Sequence, residues 1–190
     1  MQKTGRGQVR IIAGSLRGSK IPVPELDGLR PTSDRTRETL FNWLQHDIAG
    51  AQVLDLFAGS GALGFEAASR GAEAVVLVER NPVAMASLEE TKERLKTENL
   101  EVVHADALAW LPQQSTNAFN LVFLDPPFAT DIWPALWPLL MPILANTAKL
   151  YIELPVDRKP LLPEGMTVLK QAKTQHSGQI LVQWQNPALG

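Results

Sequence analysis

From Gln52 onward, apolar runs alternate with crossover segments, and two of the runs, residues 75–78 and 121–124, show no polar alternation. Strands apolar on both faces belong inside a parallel sheet covered by helices on either side, so the pattern predicts an α/β fold. The units read QVLDLF then GALGFEAASRG; AVVLVE then PVAMASLEETKERLK; LEVVHA then a short helix at DALAWL; FNLVFLD then a proline-interrupted apolar stretch; and finally AKLYIEL. Asn81 and Pro82 open the second crossover helix as cap and first-turn proline. Two last strands, about residues 166–172 and 179–185, flank a turn at 175–178 that makes them an antiparallel pair. Within 132–145, Pro134, Pro138 and Pro142 each lack an N–H and crowd the preceding turn, which predicts one broken helix packed on the sheet.

Upstream of this rhythm the chain has a different character. Strand-like pieces at 9–13 and 20–23, separated by Gly14 and Gly18, predict a small hairpin. Ser33 as cap, Asp34 in the first turn, and Phe41 and Leu44 on one face predict a helix over 33–46 with Arg35 and Arg37 near its start. With 190 residues and 45% hydrophobic content, the chain suits a single globular domain. Residues 1–46 are read as a basic extension of that domain and 47–190 as its main body. The formal charge of −2 hides an asymmetry: residues 1–37 hold eight basic side chains against three acidic ones, leaving ten against seventeen for the rest.

The absence of cysteine excludes a disulfide framework, a Cys-ligated zinc and a thiol nucleophile. Three scattered histidines argue against a His-based metal cluster, so no metal is expected. The N-terminus is basic and polar with no apolar stretch behind it, and 132–145 falls short of the roughly 20 residues a membrane span requires. The expectation is a soluble, cytoplasmic protein without a membrane partner.

Gly59, Gly61 and Gly64 have the G-x-G-x-x-G spacing between a predicted strand and a predicted helix, allowing a tight turn with helix N–H groups facing a ligand. Glu79 ends the next strand, where an acid can bind both ribose hydroxyls of an adenosine. The spacing alone also fits a nicotinamide dehydrogenase. Asp55 separates the two readings, because its carboxylate would repel a pyrophosphate but suits a cationic ligand such as S-adenosylmethionine, with its amino group and sulfonium. Asp106, in His-Ala-Asp-Ala, is placed to accept a hydrogen bond from the adenine amino group. The plainer alternative makes Asp55 and Asp106 helix-capping acids at strand ends.

Asp125-Pro126-Pro127-Phe128 directly follows the apolar run 121–124, at the carboxyl end of the sheet where open α/β folds bind ligands. An exocyclic amine on a nucleobase is a poor nucleophile because its lone pair is delocalised into the ring. The Asp125 carboxylate can accept one of its N–H groups and a proline-fixed carbonyl, that of Pro126, the other. Those bonds aim the nitrogen at an electrophile and favour the charge that develops on it. Phe128 offers a flat face for stacking the base. The competing reading is a strand-ending Pro-Pro turn with a buried Phe.

Together these features resemble the Rossmann-like S-adenosylmethionine-dependent methyltransferases of exocyclic amines, whose fourth motif is Asp or Asn, Pro, Pro, aromatic. RIIAGSLRG at 10–18, LRPTSDRTRETLFNWL at 29–44, DLFAGSGALG and DPPF narrow the resemblance to the bacterial 16S ribosomal RNA guanine-N2 methyltransferases that modify guanine 966. The resemblance covers nearly the whole chain and is strongest over 9–128; the chain departs from it at ATDIWP, in place of a more basic stretch, and at Ser19. It implies a Rossmann-like methyltransferase fold, a mostly parallel seven-stranded sheet with an antiparallel C-terminal strand pair. It implies S-adenosylmethionine as methyl donor, S-adenosylhomocysteine (SAH) as product, and as substrate 16S rRNA in assembled or partly assembled small ribosomal subunits; separately, a monomer is expected. Thr32 is expected near the methionine end of the cofactor. Arg10, Arg17, Arg35 and Arg37 are the expected RNA contacts, consistent with a phosphate-tracking arm, unless Arg35 and Arg37 are only the solvated or salt-bridged face of a helix. The readings left open are a DNA adenine or cytosine amino methyltransferase and a non-catalytic RNA-binding ribosome-assembly factor.

Overall fold

The computed structural model describes residues 7–27, 29, 32–129, 131–159 and 161–187, so Lys3, Arg6 and Arg30 of the basic arm lie outside the described residues. β1 (Gln8–Arg10) pairs antiparallel with β2 (Lys20–Pro22) in the predicted hairpin. β1 stops before the expected end at residue 13: the Ile11 N–H still donates across the hairpin to the Ser19 carbonyl at 2.9 Å, but the two donors after it leave the hairpin. The N–H groups of Ile12 and Ala13 both donate to the Glu66 carboxylate, at 2.8 and 3.0 Å. α1 (Asp34–Trp43) starts where expected, with the Ser33 hydroxyl accepting the Thr36 N–H. It ends before residue 46, in a turn closed by the Asp47 N–H on the Leu44 carbonyl.

The main body runs β3 (Gln52–Asp55), α2 (Ala62–Ser69), β4 (Ala74–Glu79), α3 (Pro82–Leu95), β5 (Leu100–His104), α4 (Ala107–Trp110), β6 (Phe119–Leu124), α5 (Trp133–Leu140), β7 (Leu144–Pro155), β8 (Met166–Lys173) and β9 (Ser177–Trp184). The seven strands lie in the order β5-β4-β3-β6-β7-β9-β8. The first five are parallel and β9 and β8 join antiparallel, as the sequence predicts.

Burial on both faces explains the unalternating runs. One face packs Val53, Leu77, Leu121 and Phe123 against Phe41 of α1 and Phe65 of α2. The Phe123 ring meets Phe41 and Tyr151 edge-on, with centroids 6.0 and 6.4 Å apart. The other face packs Leu54, Val122, Leu124 and Ile152 against Leu136, Trp137 and Leu140 of α5. The proline-rich stretch is the expected broken helix: α5 contains Pro138 and passes into a 3-10 turn over Met141–Ile143. Among the described residues, no helix is long and apolar enough to cross a membrane.

The N-terminal extension is fastened to α2, the helix that follows the glycine turn. Besides the two Glu66 bonds, the Ser69 hydroxyl donates to the Ala13 carbonyl at 2.6 Å and accepts the Leu16 N–H at 2.9 Å, while the Ser69 carbonyl accepts the Ser15 N–H at 2.8 Å. Five bonds of this kind tie a segment with little regular structure to the main body of the fold.

Candidate active site

The strand order reverses between β3 and β6, and ligands in open α/β sheets sit in the crevice that such a reversal leaves at the carboxyl ends. Asp55 ends β3 and Asp125 follows β6, so the two carboxylates flank that crevice.

On the β3 side, Gly59 and Gly61 have φ of 55° and 80°, left-handed values that side chains rarely adopt, and they carry the chain from the strand into α2. Asp55 is 2% exposed and its Oδ2 accepts the Gly64 N–H at 3.2 Å. Burial pushes its carboxyl up to about 7; the Gly64 bond opposes the rise and the charge of Glu79 adds to it. Glu79 Oε2 accepts the Gly59 N–H at 2.9 Å and Oε1 the Asn81 N–H at 2.7 Å, so this acid braces the glycine turn against the start of α3. Each carboxylate oxygen can accept a second bond, which leaves capacity for ribose hydroxyls. Asp106 caps α4, with Oδ1 accepting from the Leu108 and Ala109 N–H groups at 3.0 and 3.2 Å; both bonds use one oxygen. A Cβ on Gly59 would fall 2.7 Å from Leu29 Cδ1, so the Leu29 side chain lies over the turn.

On the β6 side, Leu124 is in register with Ile152 of β7, which places Asp125 beside Glu153, one residue further along each strand. Burial raises the Asp125 carboxyl well above the usual range, and the negative charges of Glu153 and then Asp55 raise it further. Burial also raises Glu153, against the hydrogen bonds it receives from Ser177 and Tyr151. The Tyr151 hydroxyl donates to Glu153 Oε2 at 3.2 Å, and its own pKa is driven up by burial and by the neighbouring carboxylates. Pro126 is buried while Pro127 and Phe128 are exposed, Phe128 by 41%. Pro126, Pro127, Phe128, Trp133, Glu153 and Arg158 line a groove beside the turn.

Among the RNA-contact candidates, Arg10, Arg17 and Arg35 are exposed. Arg37 is a correction: it is fully buried and cannot reach a phosphate. Its Nη2 donates to Asp34 Oδ1 at 2.6 Å and to the Arg10 carbonyl at 2.9 Å, and its Nη1 to Glu66 Oε2 at 3.4 Å. The salt-bridged alternative describes it correctly, and it acts as a clamp beneath Arg10. Two acids escaped the sequence reading. Glu66 is a buried hub that also pairs with Arg70 Nε at 2.8 Å. Glu153 has a signal that was available, since it is an acid at the carboxyl end of an apolar run, as Asp55 and Glu79 are. Among the described residues, no group of three or more His, Cys, Asp or Glu is placed to hold a metal ion.

A glycine turn and a Pro-Pro-aromatic turn on neighbouring strands of this sheet define a methyltransferase of the Rossmann-like class. The family model described as Conserved hypothetical protein 95 matches residues 9–185. Ribosomal RNA small subunit methyltransferase D of Escherichia coli (strain K12) is 44% identical over 171 residues, which are 88% of this chain and 86% of that protein. The chain therefore belongs to the family of this model and of that enzyme. The solved structure of yhhF from Escherichia coli, 42% identical, superposes with a TM-score of 0.85 over 94% of this chain and 99% of its own. The solved structure of SMU.776 complexed with SAH shares the fold alone, at 17% identity and a TM-score of 0.71 over 96% of this chain and 57% of its own.

Proposed function

We propose that this enzyme transfers a methyl group from S-adenosylmethionine to the exocyclic N2 amine of one guanine in 16S rRNA, guanine 966 by family resemblance, acting as a cytoplasmic monomer on small ribosomal subunits. The observation that carries the reading is the placement of Asp125-Pro126-Pro127-Phe128 across the strand reversal from Asp55 and the glycine turn. An amine acceptor thereby stands next to a site suited to a cationic donor.

The residues present fit that donor. Asp55 is buried beside the turn and has no partner among the ion pairs of the described residues, so it suits an ammonium or sulfonium. Glu79 retains acceptor capacity for the ribose and Asp106 Oδ2 for the adenine amine, and Thr32, three positions after the Leu29 that covers the turn, is assigned to the methionine end of the donor. When bound, the cofactor supplies an electrophilic methyl and a sulfur leaving group. Asp125 accepts one N–H of the target amine and the Pro126 carbonyl the other, which orients the nitrogen lone pair. As the C–N bond forms and the C–S pair returns to sulfur, the nitrogen becomes an acidic ammonium, and the Asp125 carboxylate stabilises it until a proton is lost. No strong base and no metal are required. Phe128 stacks the extruded base, and the exposed Arg10, Arg17 and Arg35 track phosphate.

The test is labelled S-adenosylmethionine with small subunits, naked 16S rRNA and duplex DNA in parallel, read by nucleoside mass spectrometry. N2-methylguanosine from the ribosomal substrate is expected. Methylated adenine or cytosine from DNA would replace the reading with a DNA amino methyltransferase, and rRNA binding without transfer to any substrate would make the protein a non-catalytic assembly factor.

A further inference from the structure

The mechanism uses Asp125 but leaves its neighbour Glu153 without a task. None of the ion pairs among the described residues involves Asp55, Asp125 or Glu153, so three carboxylates converge without a direct ion-pair partner. Asp55 is buried and Asp125 and Glu153 are half-buried, and carboxylates drawn out of water without a cation favour arriving N–H donors.

Glu153 is held in a particular attitude. Tyr151, two residues back on the same face of β7, donates to its Oε2, and Ser177 at the start of β9 donates to it as well. Gln179, opposite Glu153 in the β7–β9 register, is turned to Ser177, donating to its Oγ at 2.6 Å and its carbonyl at 3.3 Å, so it does not occupy the carboxylate. The carboxylate faces the groove that also has Phe128, Trp133 and Arg158 on its walls. Adjacent parallel strands lie about 4.8 Å apart, so Asp125 and Glu153 stand side by side, close enough for their side chains to converge on one base edge.

We propose that Glu153 selects guanine by accepting the N1–H of the base whose N2 amine Asp125 holds. The Watson–Crick edge of guanine reads donor at N2, donor at N1 and acceptor at O6; Glu153 and Arg158 stand on the walls of the groove, and Asp125 lies beside Glu153 at the end of the neighbouring strand. Adenine presents an acceptor at N1, which would face the Glu153 carboxylate with no proton between them. A site built to hydrogen-bond one group rejects an analogue lacking it, because its own buried polar atom is left unpaired. The proposal rests on the guanine-N2 reading and adds to it the residue that chooses the base.

The deciding probe is 2,6-diaminopurine, which keeps the 2-amine but carries an acceptor in place of the N1–H and an amine in place of O6, so the Glu153 variants rather than the wild-type preference alone assign the N1 contact. Small subunits assembled on 16S rRNA with guanine or 2,6-diaminopurine at the target position are compared by kcat/KM. The wild-type enzyme is expected to prefer guanine by on the order of 100-fold, within the discrimination a good base contact supplies. Glu153→Gln, whose amide can donate to N1, is expected to lower activity on guanine and to shrink the preference at least tenfold, with SAH affinity by calorimetry unchanged. Glu153→Asp, which keeps the carboxylate, is expected to retain the preference even where it slows the reaction, and it serves if the Gln variant does not fold. A preference unchanged in Glu153→Gln, with both substrates slowed alike or not at all, overturns the proposal while leaving the guanine-N2 reading in place. Failure of the wild-type enzyme to form N2-methylguanosine overturns that reading itself.

Discussion

The two sides of the crevice are built by opposite means. On the β3 side each acid is tied to local backbone: Asp55 to Gly64, nine residues on, and Glu79 to the Gly59 and Asn81 N–H groups. On the β6 side Asp125 and Glu153 come together only because β6 and β7 pair in one register, and side-chain hydroxyls, not backbone, hold Glu153. On the proposed function, the first arrangement sets a cofactor pocket before anything binds, and the second holds acceptors for a base that must be brought in, which is how preorganised charge is best spent in a transition state.

The contrast breaks most sharply at Asp125. Asp125→Ala is expected to lower kcat by roughly a thousandfold, comparable to losing a preorganised electrostatic group, while SAH affinity by calorimetry stays within about threefold of wild type. Normal turnover would remove Asp125 from the chemistry, and a large loss of SAH affinity would mean that the two sides are one unit.

A smaller effect separates the sides by pH. The Asp55 carboxyl is raised from 3.8 to about 7 in the folded protein, so its protonated form is the one that folding favours. The stability this contributes is fully present below pH 3.8 and is lost as pH rises through 7. Between pH 5.5 and 8 the cofactor-free protein is expected to lose about 2 kcal/mol through this group. Asp125 and Glu153 are raised too and act in the same direction. Urea unfolding of wild type and Asp55→Asn over that range isolates the share of Asp55, because the variant keeps only the slope from the β6 side. Parallel slopes in the two proteins would show that Asp55 does not titrate there.

The same division governs what could be read without coordinates. The strands apolar on both faces, the glycine turn, the Ser33 and Asn81 caps and the Pro-Pro-aromatic turn are local patterns, and each fell where spacing placed it. Glu153 acquires meaning only from the register of β6 on β7, and register is set by tertiary packing. Arg37 shows the same limit from the other side. It looks like a helix-surface cation, yet Glu66, 29 residues later and on another helix, draws it into the interior. The early end of β1 has the same origin, since the acceptor for Ile12 and Ala13 is that distant carboxylate.

The smallest expected effect asks which side of the crevice the basic arm serves. Arg17 is exposed on a loop fastened to α2 through Ser69, whereas Arg37 is buried beneath Arg10 and paired with Asp34 and Glu66. If the arm tracks phosphate, Arg17→Gln removes one contact, and the slope of log affinity for rRNA against log salt concentration becomes shallower by roughly 0.7–0.9. KM for the ribosomal substrate rises while kcat and SAH affinity do not move, because an exposed phosphate contact is made equally in ground and transition states. Arg37→Gln is the internal contrast: it leaves Glu66 in the interior with one fewer cation and lowers stability, yet it leaves the salt slope at its wild-type value. A slope unchanged in Arg17→Gln, or shifted in a folded Arg37→Gln protein, would show that the arm does not deliver RNA to the β6 side through its exposed arginines.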